Sequence, residues 1–169
     1  MREKIGSLWK KYWFILLILA MILIKQWLVG ELSIYARDTV GVDQWKMLKK
    51  AEDIISGNYW ENYSTETMFK RDVFFPFFLA VIHACNIPYL TAYTTLYSVC
   101  SLLACYSLAY YCKNRIVLLG AFAVILFSPI SYDTSVQFVY NKGLITPLAI
   151  GMMSCMIIAY NKRNSLKNF

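Results

Sequence analysis

Four apolar runs divide the chain, and each is predicted to cross a membrane as a helix. The first covers residues 12–29 and is interrupted only by Lys25 and Gln26. A helix of that length extends about 27 Å, which is close to the thickness of a bilayer core. The same pattern predicts three more spanning helices, over residues 88–112, 116–130 and 143–160.

The polar segment between the first two runs has a pattern of its own. Residues 43–56 repeat apolar positions at helical spacing, which predicts an amphipathic helix on the membrane surface. Gly57 follows at the position where helices commonly end in a left-handed residue. The predicted polar face holds Lys46, Lys49, Lys50 and Asp53. The predicted apolar face holds Trp45, Met47, Leu48, Ala51 or Glu52, Ile54 and Ile55.

A shorter apolar segment, residues 73–86, precedes the second spanning run. As a helix it extends only about 21 Å, which is short for a bilayer core and typical of an interfacial helix. Pro76 suits its first turn. The predicted fold is therefore all-α: a polytopic helical membrane protein of one domain, residues 1–169. It has about four transmembrane helices, an external amphipathic helix within the loop 31–72, and this short interfacial helix.

Charge decides the predicted orientation. The net charge is +7, but the basic residues cluster at the ends of apolar runs, where the positive-inside rule places them, so nucleic acid is excluded as a partner. If residues 73–86 do not span, Lys113 and Arg115 lie on the same side as the N-terminus and the basic C-terminal segment. Both termini are then predicted to be cytoplasmic. Lys25, near the outer end of the first helix, is expected to reach outward to the membrane surface.

The cysteines and the single histidine indicate neither a metal site nor a cofactor. None of the five cysteines forms a CxxC pair, and His83 stands alone in the sequence. Zinc takes about four nitrogen or sulfur ligands. We therefore interpret the cysteines as small apolar packing residues.

The acidic residues are concentrated in the polar loop, which suggests two roles for it. The loop is either a solvated connector or half of an active site. Of the ten acids in the chain, those between residues 31 and 72 are Glu31, Asp38, Asp43, Glu52, Asp53, Glu61, Glu66 and Asp72.

The order of residues in this loop resembles that of the GT-C superfamily of membrane glycosyltransferases. An acid begins an amphipathic helix, and a Gly-aromatic turn, an aromatic segment, a lysine and a Pro-containing apolar helix follow. The chain is distantly similar in this respect to protein O-mannosyltransferases and aminoarabinose transferases. Residues 127–150 resemble the next external segment of such proteins. The matching loop positions include Asp43, Ala51, Gly57, Tyr59, Tyr63, Thr67, Lys70, Phe75, Pro76 and Leu79.

The resemblance implies an inverting transfer of a sugar from a polyprenyl-phosphate donor to an external acceptor, in a bacterial plasma membrane. It implies that Asp43 is the catalytic base that takes the proton of the acceptor hydroxyl. It also implies that Lys70 or Arg71 contacts the departing lipid phosphate. Tyr59 and Tyr63 are expected to bind substrate, by stacking on the sugar or holding the polyprenyl chain. The donor is a substrate, and no cofactor is implied.

Each of these residues also has a purely structural interpretation. Asp43 suits the N-cap of the amphipathic helix, a role that is compatible with catalysis. Lys70 and Arg71 suit anchors at the membrane interface. Tyr59 and Tyr63 suit an aromatic belt in the headgroup layer.

Some positions depart from the family pattern. Gln44 and Phe69 stand where relatives often carry acids, and Asn141 and Lys142 stand where relatives tend to carry an Arg–acid pair. Family enzymes also have many more spanning helices. We therefore expect an N-terminal portion of such an enzyme, inactive alone. It is a truncated gene product, a fragment, or one half of a split enzyme whose second polypeptide supplies the remaining helices. The alternative function is that of a small, non-enzymatic integral membrane accessory protein.

Overall fold

All regular secondary structure in the described part of the chain is helical, which confirms the predicted all-α class. The fold comes from a computed structural model, which describes residues 2–36, 42–58, 74–132 and 142–167. The helices are α1 (Arg2–Ala36), α2 (Val42–Ser56), α3 (Phe74–Ala84), α4 (Tyr89–Leu108), α5 (Arg115–Leu126) and α6 (Lys142–Lys167). A short 3-10 turn, Pro129–Tyr132, follows α5.

The helices have the lengths and apolar composition of a membrane protein. Three segments among the described residues are long and apolar enough to cross a bilayer, namely Tyr12–Gly30, Arg115–Tyr132 and Gly143–Arg163. α3 and α4 are long and apolar enough to cross a bilayer only when they are taken together, and the angle between the two helices is 112°. The described helices therefore provide three spans, or four if the bent pair counts as one.

α4 is the central helix, and its position explains its modest hydropathy. It packs against α1, α5 and α6, and most extensively against α6. Ser98 and Ser101 each donate a hydrogen bond from Oγ to the carbonyl one turn earlier, at 2.8 Å. A helix enclosed by other helices can carry such groups, because they are satisfied within the protein and do not face lipid.

Contacts with α4 fix the direction in which α1 runs. Near one end of α1, Gln26 Nε2 donates to the Thr91 carbonyl at 3.4 Å. Near the other end, Phe14 and Ala109 line the same cavity. Since residue numbers rise along α1 as they fall along α4, the two helices are antiparallel.

α5 is also antiparallel to α4. The Tyr97 hydroxyl donates to the Ile125 carbonyl at 3.1 Å, near the end of α5. Cys105 Sγ donates to the Leu118 carbonyl at 3.7 Å, near its start. α1 and α5 therefore run in the same direction.

α6 runs parallel to α4. Midway along α6, Gly151 faces Cys100, and a Cβ at that glycine would lie 3.0 Å from Cys100 Sγ. Further along, Asn161 Nδ2 donates to the Tyr111 hydroxyl at 3.1 Å, just beyond the end of α4. The glycine permits a close approach of the two helices, as small residues do in membrane helix pairs.

The four helices α1, α4, α5 and α6 therefore form an up-and-down bundle with two ends. The basal end holds the start of the first span, the connection from α4 to α5, and the last turns of α6. The loop end holds the end of the first span, the start of α4, the end of α5 and the start of α6. Four basic residues lie together at the basal end, as the four-helix topology predicts: Lys113, Arg115, Lys162 and Arg163.

α3 meets α4 at a corner at the loop end, built by Asn86 and Pro88. Asn86 is left-handed, with φ of +55°, and its N–H donates to the His83 carbonyl at 2.9 Å. The N–H of Ile87 donates to the Ile82 carbonyl at 2.9 Å, which completes a Schellman motif. Pro88 then precedes the first residue of α4. The corner ends α3, so this helix does not continue the axis of α4.

α2 lies close to the bounds predicted for the amphipathic helix, residues 43–56. It begins at Val42, so Asp43 is its second residue and not the N-cap residue before the helix. Gly57 follows the helix with φ of +79°, which confirms the predicted stop.

The packed face of α2 differs from the predicted one. Met47, Lys50 and Ala51 are buried, whereas Leu48 and Ile55 are exposed. The prediction that Lys50 belongs to the polar face is therefore wrong. α2 packs mainly on α3, and a small residue such as Ala51 lets the two helices approach closely.

α3 has two apolar faces. One is buried in the same core cluster as Met47 and Ala51 and consists of Phe75, Leu79, Ala80 and Ile82. The other is exposed and consists of Phe74, Phe77 and Val81. An exposed apolar stripe on a short helix at one end of a membrane bundle is compatible with the predicted interfacial position.

Candidate functional site

Of the five site residues predicted from the sequence, only Asp43 lies in the described part of the chain. Its backbone is in the first turn of α2, and α2 packs on α3 at the loop end. The other four fall within residues 59–73, which lie outside the described residues. They are Tyr59, Tyr63, Lys70 and Arg71. Residues 59–73 connect α2 to α3, so both flanks of this segment belong to the loop end.

A buried lysine lies near the loop end of α1. Lys25 is 0% exposed and belongs to the spanning segment Tyr12–Gly30. Its Nζ donates a hydrogen bond to Ser131 Oγ and lies 3.3 Å from the centroid of the Tyr132 ring. The predicted outward reach of Lys25 is therefore wrong. The turn after α5 offers a hydroxyl and an aromatic face within the bundle, and these satisfy an ammonium group that lipid would leave unsatisfied.

Other groups hold the partners of Lys25 in place. Ser131 Oγ donates to the Ser128 carbonyl at 2.6 Å, which leaves its lone pairs for the ammonium. The Tyr97 ring centroid lies 5.6 Å from Lys25 Nζ, and its hydroxyl is held by the Ile125 carbonyl. Within the described ranges, these partners are hydroxyls and rings and include no carboxylate. A buried positive charge is costly unless a negative group compensates it, and it attracts anions strongly.

A row of aromatic rings connects this site to α3. Along α4, Tyr89 stacks on Tyr93 with ring centroids 6.5 Å apart, and Tyr93 lies 6.1 Å from Tyr97. Phe75 of α3 meets Tyr89 edge-on at 6.4 Å. The hydroxyls of Tyr93 and Thr94 are buried and have no hydrogen-bond partner among the residues described. Buried polar groups of this kind are rare, and they give the site capacity for a polar ligand.

A second feature of the loop end is an apolar groove of about 240 Å³ between α2 and α3. Glu52 of α2 and His83 of α3 are both exposed and both line this groove, as does Tyr89 at the start of α4. A carboxylate and an imidazole at such an edge can exchange a proton with a bound hydroxyl. The remaining lining residues are Leu48, Ala51, Leu79, Ile82 and Ile87.

Sequence reasoning misses Lys25, Ser131 and Glu52 as site residues. Lys25 carries a usable signal, because a charged residue inside an apolar run marks a functional site by default in membrane proteins. Glu52 carries a weaker one, since it falls on the predicted apolar face of its helix. Ser131 carries none, because only tertiary packing brings it to Lys25 from 106 residues away.

The chemistry available at the loop end suits a lipid with an anionic headgroup. An ammonium group and hydroxyls can bind anionic oxygens, and aromatic rings beside an apolar groove can hold a hydrocarbon chain. Comparison with known proteins adds no family to this description, because no family model matches the chain and no match is found among curated proteins or solved structures.

Proposed function

We propose that the chain is the N-terminal portion of a GT-C-like glycosyltransferase that binds a polyprenyl-phosphate sugar at its loop end. The observation that carries this proposal is Lys25, a buried cation at the same end of the bundle as Asp43. A phosphorylated lipid supplies the negative charge that such a cation attracts. The resemblance of the loop supports sugar transfer to an external acceptor as the reaction.

The proposed roles follow from the chemistry of each residue type. The charge of Lys25 draws the donor phosphate to the loop end, and Lys70 or Arg71 contacts that phosphate as its bond to the sugar breaks. Asp43 takes the proton of the acceptor hydroxyl. Tyr59 and Tyr63 bind the sugar or the polyprenyl chain. In this proposal the basal end is cytoplasmic, in a bacterial plasma membrane, and a second polypeptide supplies further helices.

Donor binding is tested with a photoactivatable polyprenyl phosphate and the full chain reconstituted in nanodiscs. The cross-linked peptides are then identified by mass spectrometry. In the native chain we expect cross-links to peptides of the loop end. Lys25→Met keeps the length of the side chain but removes its charge. It is expected to reduce those cross-links several-fold, because the charge that draws the phosphate to the loop end is lost.

The matched control is Lys162→Met, which removes one positive charge from the basal end. It should leave the cross-links at the loop end unchanged. Thermal unfolding of both variants checks that each remains folded. If Lys25→Met is folded and is labelled as well as the native chain, the role of Lys25 is structural and the proposed donor site is wrong.

The transfer reaction is tested separately with Asp43→Asn. Membranes that contain the chain together with the polypeptide that supplies the further helices are given a radiolabelled polyprenyl-phosphate sugar, and label in the envelope acceptor is measured. We expect transfer to fall to background while the amount of protein stays constant, because an amide cannot take the proton. Transfer at the native rate in Asp43→Asn would contradict the role of Asp43 as base. Transfer that is absent even with the native chain would favour the accessory function.

A further inference from the structure

A cavity at the basal end lies opposite the proposed donor site, and we call it the basic groove. Its volume is about 380 Å³. α1, the connection from α4 to α5, and the first turn of α5 form its walls. The lining residues are Phe14, Ile15, Ala109, Cys112, Lys113, Arg115 and Leu118.

The basic groove combines an apolar floor with a positively charged rim. Phe14, Ile15 and Leu118 provide the floor, and both Lys113 and Arg115 are exposed at the rim. None of the described residues that line it is acidic. Lys113 Nζ donates to the Ala109 carbonyl at 3.2 Å, which holds the ammonium at the groove and leaves it further N–H groups.

The floor and the rim of the basic groove lie at different depths in the membrane. Two spans begin beside it, at Tyr12 and at Arg115. Phe14, Ile15 and Leu118 lie within the two spans, whereas Lys113 lies before the start of the second span. The groove therefore crosses the level where hydrocarbon meets headgroups, and the exposed ring of Tyr111 next to it is typical of that level.

We propose that the basic groove binds one anionic phospholipid of the surrounding leaflet. Its phosphate lies between Lys113 and Arg115, and an acyl chain runs along Phe14 and Leu118. The N-terminal end of α5 adds positive potential at the same place. A zwitterionic lipid has the same phosphate, but its quaternary ammonium group is repelled by both side chains. Charge therefore makes the site selective for a headgroup with net negative charge, such as phosphatidylglycerol.

The experiment is a lipid titration of the full chain in neutral detergent, followed by native mass spectrometry with phosphatidylglycerol and phosphatidylcholine. We expect the native chain to bind one phosphatidylglycerol at least fivefold more tightly than phosphatidylcholine. The variant K113Q/R115Q should lose this preference, since each basic residue near a headgroup is worth roughly fivefold in affinity. Its matched control, K162Q/R163Q, loses the same charge at the same end of the bundle but does not line the groove. It should keep most of the preference.

Cys112 provides a second readout that is specific to the groove. This free thiol lines the cavity, so phosphatidylglycerol should slow its alkylation while leaving that of the exposed Cys155 unchanged. Equal loss of affinity in both double variants overturns the proposal, because the effect is then that of general surface charge. Alkylation of Cys112 that no lipid slows also overturns it. If alkylation of Cys112 slows as the protein concentration rises in the absence of lipid, a second copy of the chain occupies the groove, and the proposed lipid site is wrong.

Discussion

Replacing Gly151 tests the bundle on which both proposed sites depend. A Cβ at this position would lie 3.0 Å from Cys100 Sγ, whereas nonbonded heavy atoms prefer a separation of about 3.5–4.0 Å. The two helices, or the cysteine side chain, must therefore move by about 0.5–1 Å. Overpacking of this kind costs about 1–3 kcal/mol. Since alanine is better than glycine in a helix by about 1 kcal/mol, Gly151→Ala should lose about 0–2 kcal/mol in net free energy of unfolding.

Gly120→Ala is the matched control for this substitution. Gly120 lies in α5, and a Cβ there would have no other atom within 4 Å. This variant gains the same helix propensity without the collision, so it should be as stable as the native chain or more stable. The difference between the two alanine variants, about 1–3 kcal/mol, is the cost of the contact between α4 and α6. Unfolding in detergent micelles, followed by circular dichroism, measures it.

Cys100→Ala completes the test. Removing Sγ makes room for the new methyl group, so the double variant Gly151→Ala/Cys100→Ala should recover much of the loss. The coupling free energy between the two positions should then be within the 0.5–3 kcal/mol found for residues in contact. If Gly151→Ala is as stable as Gly120→Ala and the double variant is additive, α4 and α6 do not approach at Gly151, and the described bundle is wrong there.

Two further predictions concern the corner after α3 and the two ends of the bundle. Asn86→Ala should destabilise the chain by roughly 1–2 kcal/mol, because φ is +55° there. Asn86→Gly should be neutral or stabilising, and equal thermal stability of the two variants would contradict a left-handed residue 86. A chain with only Cys85 and a chain with only Lys113→Cys should react with a membrane-impermeant maleimide from opposite sides of a vesicle. Labelling of both from one side would rule out the assignment of these residues to opposite ends.

Much of the helical framework could be predicted from the sequence, because the physical requirements are local. A helix in lipid must satisfy its own backbone and present apolar side chains over a sufficient length, and both conditions can be read from consecutive residues. Helix ends are local as well. Gly57 ends α2 with a left-handed residue as predicted, and Pro76 lies in the first turn of α3.

The candidate site could be predicted only in part, because it depends on which helices meet. The order of Asp43, Lys70 and Arg71 in one loop can be read from the sequence, but their separation in space cannot. A lysine near the end of a span has two ways to satisfy its ammonium group: to reach the headgroups or to find partners within the bundle. The sequence of α1 is the same in both cases.

The sequence by itself determined which segments form helices and which are apolar enough to span a membrane. It did not determine how far α1 extends, because this helix was predicted over residues 12–29 and runs Arg2–Ala36. Only the tertiary structure decided which way two lysines point. Ser131 and Tyr132 come to Lys25 because α5 runs parallel to α1. Lys50 is buried although it belongs to the predicted polar face of α2. The physical reason is that the free energy of burying a charged side chain depends on its partners, and distant parts of the chain supply them.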